Sequence, residues 1–329
     1  MNILYTLNDN FVPQVSAGIC SVCENNKDVK KIDFYLMSLK IKEENKKKLK
    51  KFIKKKYNRD IIYIELDDLS KYFDFDFDTN GWNPIVLARL LLDKLLPEKI
   101  DRILYLDGDT IVRGNLQDLW SINMKEKVIA ASIEPTMDKK RKDSLNLNGK
   151  PYYNAGVLLV DLNNWRKYKS GKIILDYYRE HNGNLFANDQ DAINGSLNDK
   201  ILTISPKYNF YNIFYQYNYK FLSKLCDFKY IEKETYNDAL ENPVIIHYLG
   251  EERPWRIGNK HKYRKDYLYY LGLTPWSNCN LEKGWRLYFA CWNCFNFITK
   301  PLPSLRYKII NHLIPLFMKH RSKKIKKAK

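Results

Sequence analysis

Neither G-x-G-x-x-G nor G-x-x-x-x-G-K-[ST] occurs anywhere in the 329 residues, which removes the dinucleotide fingerprint and the P-loop. A phosphate-bearing ligand would have to be held by a metal ion and basic side chains instead. Acidic residues are missing from one end: none follows Glu282, whereas residues 283–329 carry twelve Lys and Arg. Two thirds of the net charge of +18 lies in that tail, and the body before it is only mildly basic. Glycine is scarce, at 13 residues, and neither an internal repeat nor a Gly/Ser linker divides the chain. The apolar stretches around Leu287–Ile298 and Ile309–Met318 are interrupted by Asn, His or Pro and are too short to span a bilayer. Met1-Asn2-Ile3-Leu4-Tyr5 starts without a basic n-region or a long apolar core, so it reads as a strand and not as a signal peptide. These absences point to a soluble or membrane-surface protein.

Cysteine occurs six times but not in a zinc arrangement. The pairs Cys20/Cys23 and Cys291/Cys294 lie at opposite ends, whereas a structural zinc needs four ligands together. Reduced thiols are the expectation.

What is present begins with alternation. Ile3–Leu7, Ile32–Leu39 and Ile61–Glu65 are apolar runs, and Val12–Cys23 and Glu43–Tyr57 are amphipathic segments between them. Strand, helix, strand, helix, strand predicts a parallel sheet with crossover helices. In the second helix Leu49, Phe52, Ile53 and Tyr57 share one face and lysines fill the other, which reads as a solvated surface. Trp82–Leu96 is apolar nearly all round and predicts a buried helix with Pro84 in its first turn. Arg89 in its middle needs a partner. Asp93 or a ligand phosphate or sugar hydroxyl would serve equally. Further strands are expected at Ile103–Leu106, Lys127–Ile133, Tyr153–Val160, Ile201–Ile204 and Val244–Tyr248, with helices at Gly171–His181 and Asp189–Leu197. The organisation is a body over residues 1–282 and a basic, aromatic tail over 283–329.

Two acidic clusters compete for a metal. From Asp76 the chain reads D-x-D-x-N-G, the start of a calcium loop, but its twelfth position is Leu87 where Glu is required. Asp107-Gly108-Asp109 instead follows a buried strand, and ligands of open α/β sheets collect beyond the carboxyl ends of strands. Gly108 lets the chain turn, so both carboxylates can face one point. Hard oxygen donors suit Mg²⁺ or Mn²⁺, although a capped turn would use the same residues. His247 ends another apolar run and is a candidate third ligand, while Arg253 and Lys262 are candidate phosphate cations.

ILYLDGDTIV (residues 103–112), PYYNAGVLLVDLNNW (151–165), NDQDAIN (188–194) and HYLGEERPW (247–255), in that order and spacing, resemble the family 8 retaining glycosyltransferases. Those include bacterial lipopolysaccharide galactosyl- and glucosyltransferases and glycogenin. The opening NILYTLNDNFV and the helix with ARL fit as well, so the resemblance covers about residues 1–260. It implies the GT-A fold, one α/β domain on a mixed central sheet flanked by helices, and a UDP-sugar donor used with Mn²⁺ or Mg²⁺. It further implies that Asp107, Asp109 and His247 hold the metal against the diphosphate, with Gly108 between the carboxylates. Asn8 and Asn10 would face uracil and ribose with Thr6 beside them, and Arg89 would touch the sugar or its phosphate. Glu134, Asn154, Ala155, Gly156, Asp189 and Gln190 would surround the donor sugar. Of these Gln190, Asp189 and Asn154 would stand at the reaction centre, while Gly250 and Arg253 would close over the diphosphate. Three positions depart from the bacterial pattern: Asn8 and Glu134 stand where Asp is common, and Arg253 where Lys is.

The expected activity is retaining transfer of a hexose, from UDP-glucose or UDP-galactose, to a saccharide acceptor of a cell-envelope glycan or glycolipid. Retention can come from double displacement, with Asp189 a possible nucleophile and Gln190 a poor one, or from same-face attack. The tail interleaves Trp285, Tyr288, Phe289, Trp292, Phe295 and Phe297 with cations and ends RSKKIKKAK, which suits an anionic membrane surface. That places the protein at the inner face of the cytoplasmic membrane. No RNP, helix-turn-helix or zinc-finger pattern accompanies the basic residues, so nucleic acid is not an expected partner. The alternatives are a non-catalytic basic lipid- or nucleic-acid-binding protein and a self-glycosylating enzyme like glycogenin.

Overall fold

Strand β1 (Asn2–Asn8) runs through the centre of the molecule with Ile3, Leu4, Tyr5 and Leu7 shielded from solvent. A computed structural model describes residues 1–326, with side chains through Lys319. The charged end of the tail sequence, RSKKIKKAK, therefore falls outside the described side chains. Helix α1 (Val12–Asn25) follows β1, entered through Pro13 in its first turn. It packs closely because Gly18 brings its backbone against the Thr110 carbonyl and the Tyr5 hydroxyl, where an added Cβ would lie 3.2 Å from each oxygen. Cys20 and Cys23 are buried in this helix. Strand β2 (Asp33–Leu39) leads to α2 (Glu43–Tyr57), which buries Leu49 and Ile53 and turns its lysine-rich face outward. Each such apolar side chain contributes about 1.5–3 kcal/mol when fully buried. Asn58, with φ 51°, closes α2 by donating its N–H to the Lys54 carbonyl at 3.0 Å.

The remaining strands are β3 (Asp60–Glu65), β4 (Arg102–Leu106), β5 (Thr110–Val112), β6 (Ile129–Ser132), β7 (Val157–Asp161), β8 (Ile201–Ile204) and β9 (Ile245–His247). Seven form one sheet in the order β3-β2-β1-β4-β7-β6-β8. The first four are mutually parallel, as the alternation implies, but β7 runs antiparallel to both β4 and β6, so the sheet is mixed. Strands β5 and β9 make a separate two-stranded sheet.

Two elements differ from the sequence expectation. Trp82–Leu96 is not one helix: a 3-10 helix at Pro84–Leu90 and a single α-turn at Leu92–Leu95 meet at Leu91 (φ −109°, ψ 26°). Arg89 binds back to the Val86 carbonyl (3.2 Å) and inward to two carboxylates, and this tertiary pull outweighs helix propensity. The strand expected from Tyr153 begins only at Val157. Tyr153 makes an isolated bridge to Ile133, after which Asn154, Ala155 and Gly156 leave the ladder.

After the body come two helices, Arg286–Thr299 and Pro303–Lys326, the second with Pro315 inside. Phe289, Thr299 and Arg306 are buried between these helices and the body. No helix among the described residues is long and apolar enough to cross a membrane.

Candidate active site

The chain leaves β4 at Asp107, whose N–H donates to the Gly156 carbonyl (2.8 Å), and re-enters pairing at Thr110, whose hydroxyl donates to the Asp107 carbonyl (2.8 Å). The turn Asp107-Gly108-Asp109 thus joins the main sheet to β5. Because β5 pairs antiparallel with β9 in the register Thr110↔His247, and the Tyr248 N–H donates to the Asp109 carbonyl (2.9 Å), His247 is delivered beside both carboxylates. Its Nε2 lies 3.4 Å from Asp109 Oδ1 and 3.7 Å from Asp107 Oδ2, and ligand atoms of all three residues fall within 4.8 Å of one another. Gly156 beneath the imidazole tolerates no side chain, since a Cβ there would lie 2.2 Å from His247 Cε1.

Hydrogen bonding fixes which imidazole nitrogen faces the carboxylates. The Gly156 N–H can only donate, so Asn154 presents its carbonyl oxygen to it (2.9 Å). Asn209 Nδ2 donates to that same oxygen (2.8 Å), which leaves Asn209 Oδ1 to accept from His247 Nδ1 (2.9 Å). With Nδ1 donating to Asn209, the neutral imidazole has its lone pair on Nε2, the nitrogen that faces Asp107 and Asp109 and that a metal ion would displace from its hydrogen bond to Asp109. Burial lowers the His247 pKa, but the hydrogen bond and charge of Asp109 outweigh this and raise it above the ordinary value. For Asp109, burial raises the pKa and His247 and Arg253 pull it below the usual carboxylate range. Two carboxylates and one oriented imidazole fit a divalent cation.

Arg89 links this centre to the opposite wall. Its guanidinium contacts Asp107 (Nη2–Oδ1 3.0 Å) and Asp189 (Nε–Oδ2 2.9 Å), donates to the Ala155 carbonyl (2.6 Å), and lies over the Tyr105 ring at 4.3 Å. Asp93, the structural partner weighed from sequence, is not used. Burial pushes Asp189 up to about 6, with Arg89 opposing the shift and Asp107 adding to it. Gln190 is held at both ends of its amide: Oε1 accepts from the Ala155 N–H (2.9 Å), and Nε2 donates to Glu134 Oε2 (3.1 Å) and the Tyr152 hydroxyl (3.0 Å). Asn154 Nδ2 donates to the same Glu134 oxygen (3.0 Å).

Arg89, Asp107, Asp109, Glu134, Asn154, Asp189 and Gln190 line one cleft of about 450 Å³. Thr6, Asn8, Gly108, Ala155, Gly250 and Arg253 also face it, together with both ends of the Asp107-to-Gln190 arrangement. Thr6 shares a hydrogen bond with the Tyr105 hydroxyl (3.1 Å), and Asn8 Oδ1 is buried without a partner among the described residues. His247 and Gly156 are buried behind the lining residues, Asn10 is exposed and not among them, and Lys262 is exposed over Tyr263. Gly250 adopts φ 76°, a conformation that favours glycine.

Several residues in or behind the cleft escaped the sequence reading. Asn209 is fully buried in the aromatic run Tyr208-Asn209-Phe210-Tyr211, and an amide in such surroundings must be hydrogen-bonded, which was the available signal. Arg141, in a run of cations, reads as surface yet turns inward to Asp191 (2.6 Å) and over Phe186 (4.4 Å). Ile314 and Met318 of the last helix reach the cleft as well, and nothing in their local pattern indicates it.

Comparisons with known proteins agree with this geometry. The family profile described as Glycosyl transferase family 8 matches residues 2–257. General stress protein A of Bacillus subtilis (strain 168) is 27% identical over 282 residues, which cover 84% of this chain and 95% of that protein. The lipopolysaccharide 1,3-galactosyltransferase of Salmonella typhimurium is 25% identical over 287 residues, 85% of this chain and 80% of that one. Among solved structures, the galactosyltransferase LgtC, in complex with donor and acceptor sugar analogs, shares the fold with a TM-score of 0.71 at 22% identity, covering 87% of this chain and 99% of that chain. The mixed sheet and its helices are thus those of the GT-A fold.

Proposed function

The chain belongs to glycosyl transferase family 8, and from that premise we propose that it is a retaining hexosyltransferase whose donor is UDP-glucose or UDP-galactose. A hexosyltransferase of this family takes a nucleotide-sugar donor, a saccharide acceptor and a divalent metal. The observation that carries the finer reading is the convergence of Asp107, Asp109 and His247 beneath a cleft whose far wall is built from Glu134, Asn154 and Gln190. Mn²⁺ suits the mixed oxygen and nitrogen set. The unpartnered Asn8 Oδ1 offers an acceptor to a ring N–H such as that of uracil. Arg253, with its Nε buried and only a long 4.0 Å contact to Asp109, supplies a cation for the diphosphate.

Asp107, Asp109 and His247 would hold a divalent ion, which would supply positive charge against the departing diphosphate. Arg89 and Arg253 add fixed cationic charge on either side, where charge grows as the sugar C1–O bond breaks. Asp189 is a poor nucleophile here: it is buried, tied to Arg89, and partly protonated near pH 6. Gln190, with both amide ends engaged, positions the sugar and does not attack it. Same-face attack follows, in which the acceptor oxygen bonds to C1 as the diphosphate leaves and its proton passes to the leaving diphosphate oxygen.

The acceptor on this reading is a cell-envelope saccharide or glycolipid met at the inner face of the cytoplasmic membrane. The helix Arg286–Thr299 supports surface attachment by turning Leu287, Phe297 and Ile298 outward, 77%, 81% and 61% exposed, within a segment free of acidic side chains. Phe289 is buried instead, and Trp292 stacks on Phe295 at 5.3 Å. Calorimetry with UDP tests the donor site: binding should require Mn²⁺, and UDP binding without metal dependence would overturn the reading. A hydrolysis screen over UDP-glucose, UDP-galactose and their N-acetyl forms then identifies the sugar.

A further inference from the structure

The junction between body and tail packs against the loop that carries Arg253 to the cleft. Glu282 joins the loop after β9 through two backbone bonds, its N–H to the Trp255 carbonyl and the Ile257 N–H to its own carbonyl, both 2.9 Å. Its carboxylate accepts from Trp255 Nε1 (2.9 Å) and from Arg256 Nε (2.9 Å). Three residues later Trp285 lies over the Arg256 guanidinium at 3.5 Å from the ring centre. Arg256, only 6% exposed, also binds Glu251 in the same loop. Arg253 sits between these anchors and the carboxylates, its guanidinium 5.6 Å from the Trp255 ring and 5.7 Å from Phe11, which meet edge to face at 5.9 Å.

The tail that carries Trp285 is itself braced. Arg306 bonds Thr299 (2.9 Å) and lies over Trp292 and Phe295 at 5.4 and 5.1 Å, tying the two last helices together. From there the final helix extends Ile314 and Met318 into the cleft.

We propose that Glu282 and Trp285 are positioning residues for the donor: by fixing Trp255 and Arg256 they hold Arg253 at the diphosphate. The segment after the body is then a working part of donor binding as well as a surface for attachment. The inference rests on the assignment of Arg253 to the diphosphate. Its physical basis is preorganisation. A guanidinium held between two rings loses little freedom when it meets an anion, whereas a loose one must be ordered at the cost of affinity. Truncation after Glu282 should accordingly weaken donor binding together with any vesicle attachment.

The test uses the full-length protein with the substitutions Glu282→Gln, Trp285→Ala and Trp285→Phe. Glu282→Gln and Trp285→Ala should each weaken UDP binding in Mn²⁺ and raise the donor KM by roughly 3- to 10-fold, with kcat within about 2-fold. Hydrogen exchange over residues 249–256 should accelerate, and Trp285→Phe, which keeps an aromatic face, should restore both readings. Affinity for Mn²⁺ alone, followed by electron paramagnetic resonance, should not change because no metal ligand moves. Wild-type UDP affinity and exchange rates in both Glu282→Gln and Trp285→Ala would overturn the proposal. Wild-type protein that fails to bind UDP with metal would instead remove the donor assignment beneath it.

Discussion

Asp74–Asp78 and Asp107–Asp109 are two acidic segments that alternate Asp with another residue, and they meet opposite fates. Asp74, 72% exposed, spends its carboxylate on Arg179 at 2.5 and 2.6 Å, and Asp78 accepts from the Asn80 N–H (2.9 Å). Asp76 points to solvent. Asp107 and Asp109 are fewer, but a second ladder brings a buried imidazole to them. Among the described residues they form the one group of His, Cys, Asp and Glu arranged to hold a metal. Carboxylate density is thus a poor guide to cation binding. What counts is a third ligand carried in by tertiary pairing, with its lone pair set from behind by hydrogen bonds.

The largest break in this contrast comes from Asp109→Ala, which should lower donor turnover at least about 10³-fold while circular dichroism stays native. Next in size is a pH effect that separates buried from exposed carboxylates. Arg179 holds Asp74 below the usual carboxylate range, while burial raises Asp189 from 3.8 to about 6. Between those two values the folded metal-free protein keeps a proton on Asp189 that the unfolded chain has released, so stability falls as pH rises from about 4 to 6. The effect amounts to at most about 3 kcal/mol. The melting temperature of wild type minus that of Asp189→Asn should decline across this window, and a flat difference would refute the shift. Asn209→Leu should cost roughly 10- to 100-fold in Mn²⁺ affinity, read by calorimetry, because His247 loses the acceptor that sets its tautomer. Smallest of all, Asp76→Ala should leave Mn²⁺ affinity unchanged and stability within about 0.5 kcal/mol. A loss of metal affinity there would dissolve the contrast.

What could be read from the residues alone followed the range of the forces involved. Alternating apolar runs placed β1, β2 and β3 and the helices between them, because burial of a strand or a helix face leaves a local period. The failed calcium loop at Leu87 was also local. The split of the Trp82–Leu96 segment was not, since it follows from Arg89 reaching carboxylates at Asp107 and Asp189. Strand β5 was invisible for a related reason: three residues have no period, and only β9, far along the chain, makes them a strand. His247 was found from its place at the end of an apolar run, but Asn209, which orients it, has a partner that no spacing rule connects to it. Asn10, carried over by resemblance, is exposed and is not among the residues that line the cleft, so its place toward a ribose rests on the resemblance alone.

The pairing of β5 with β9 has a consequence for how the protein is born. Asp109 emerges from the ribosome early and His247 only after most of the domain, so the nascent chain spends much of its synthesis with two carboxylates turned toward a third ligand that does not yet exist. Long-range pairings of this kind form late and slowly. Completion of the cation site is therefore a closing event of biogenesis, and a ribosome stalled before β9 would carry every strand of the main sheet and only two of the three ligands.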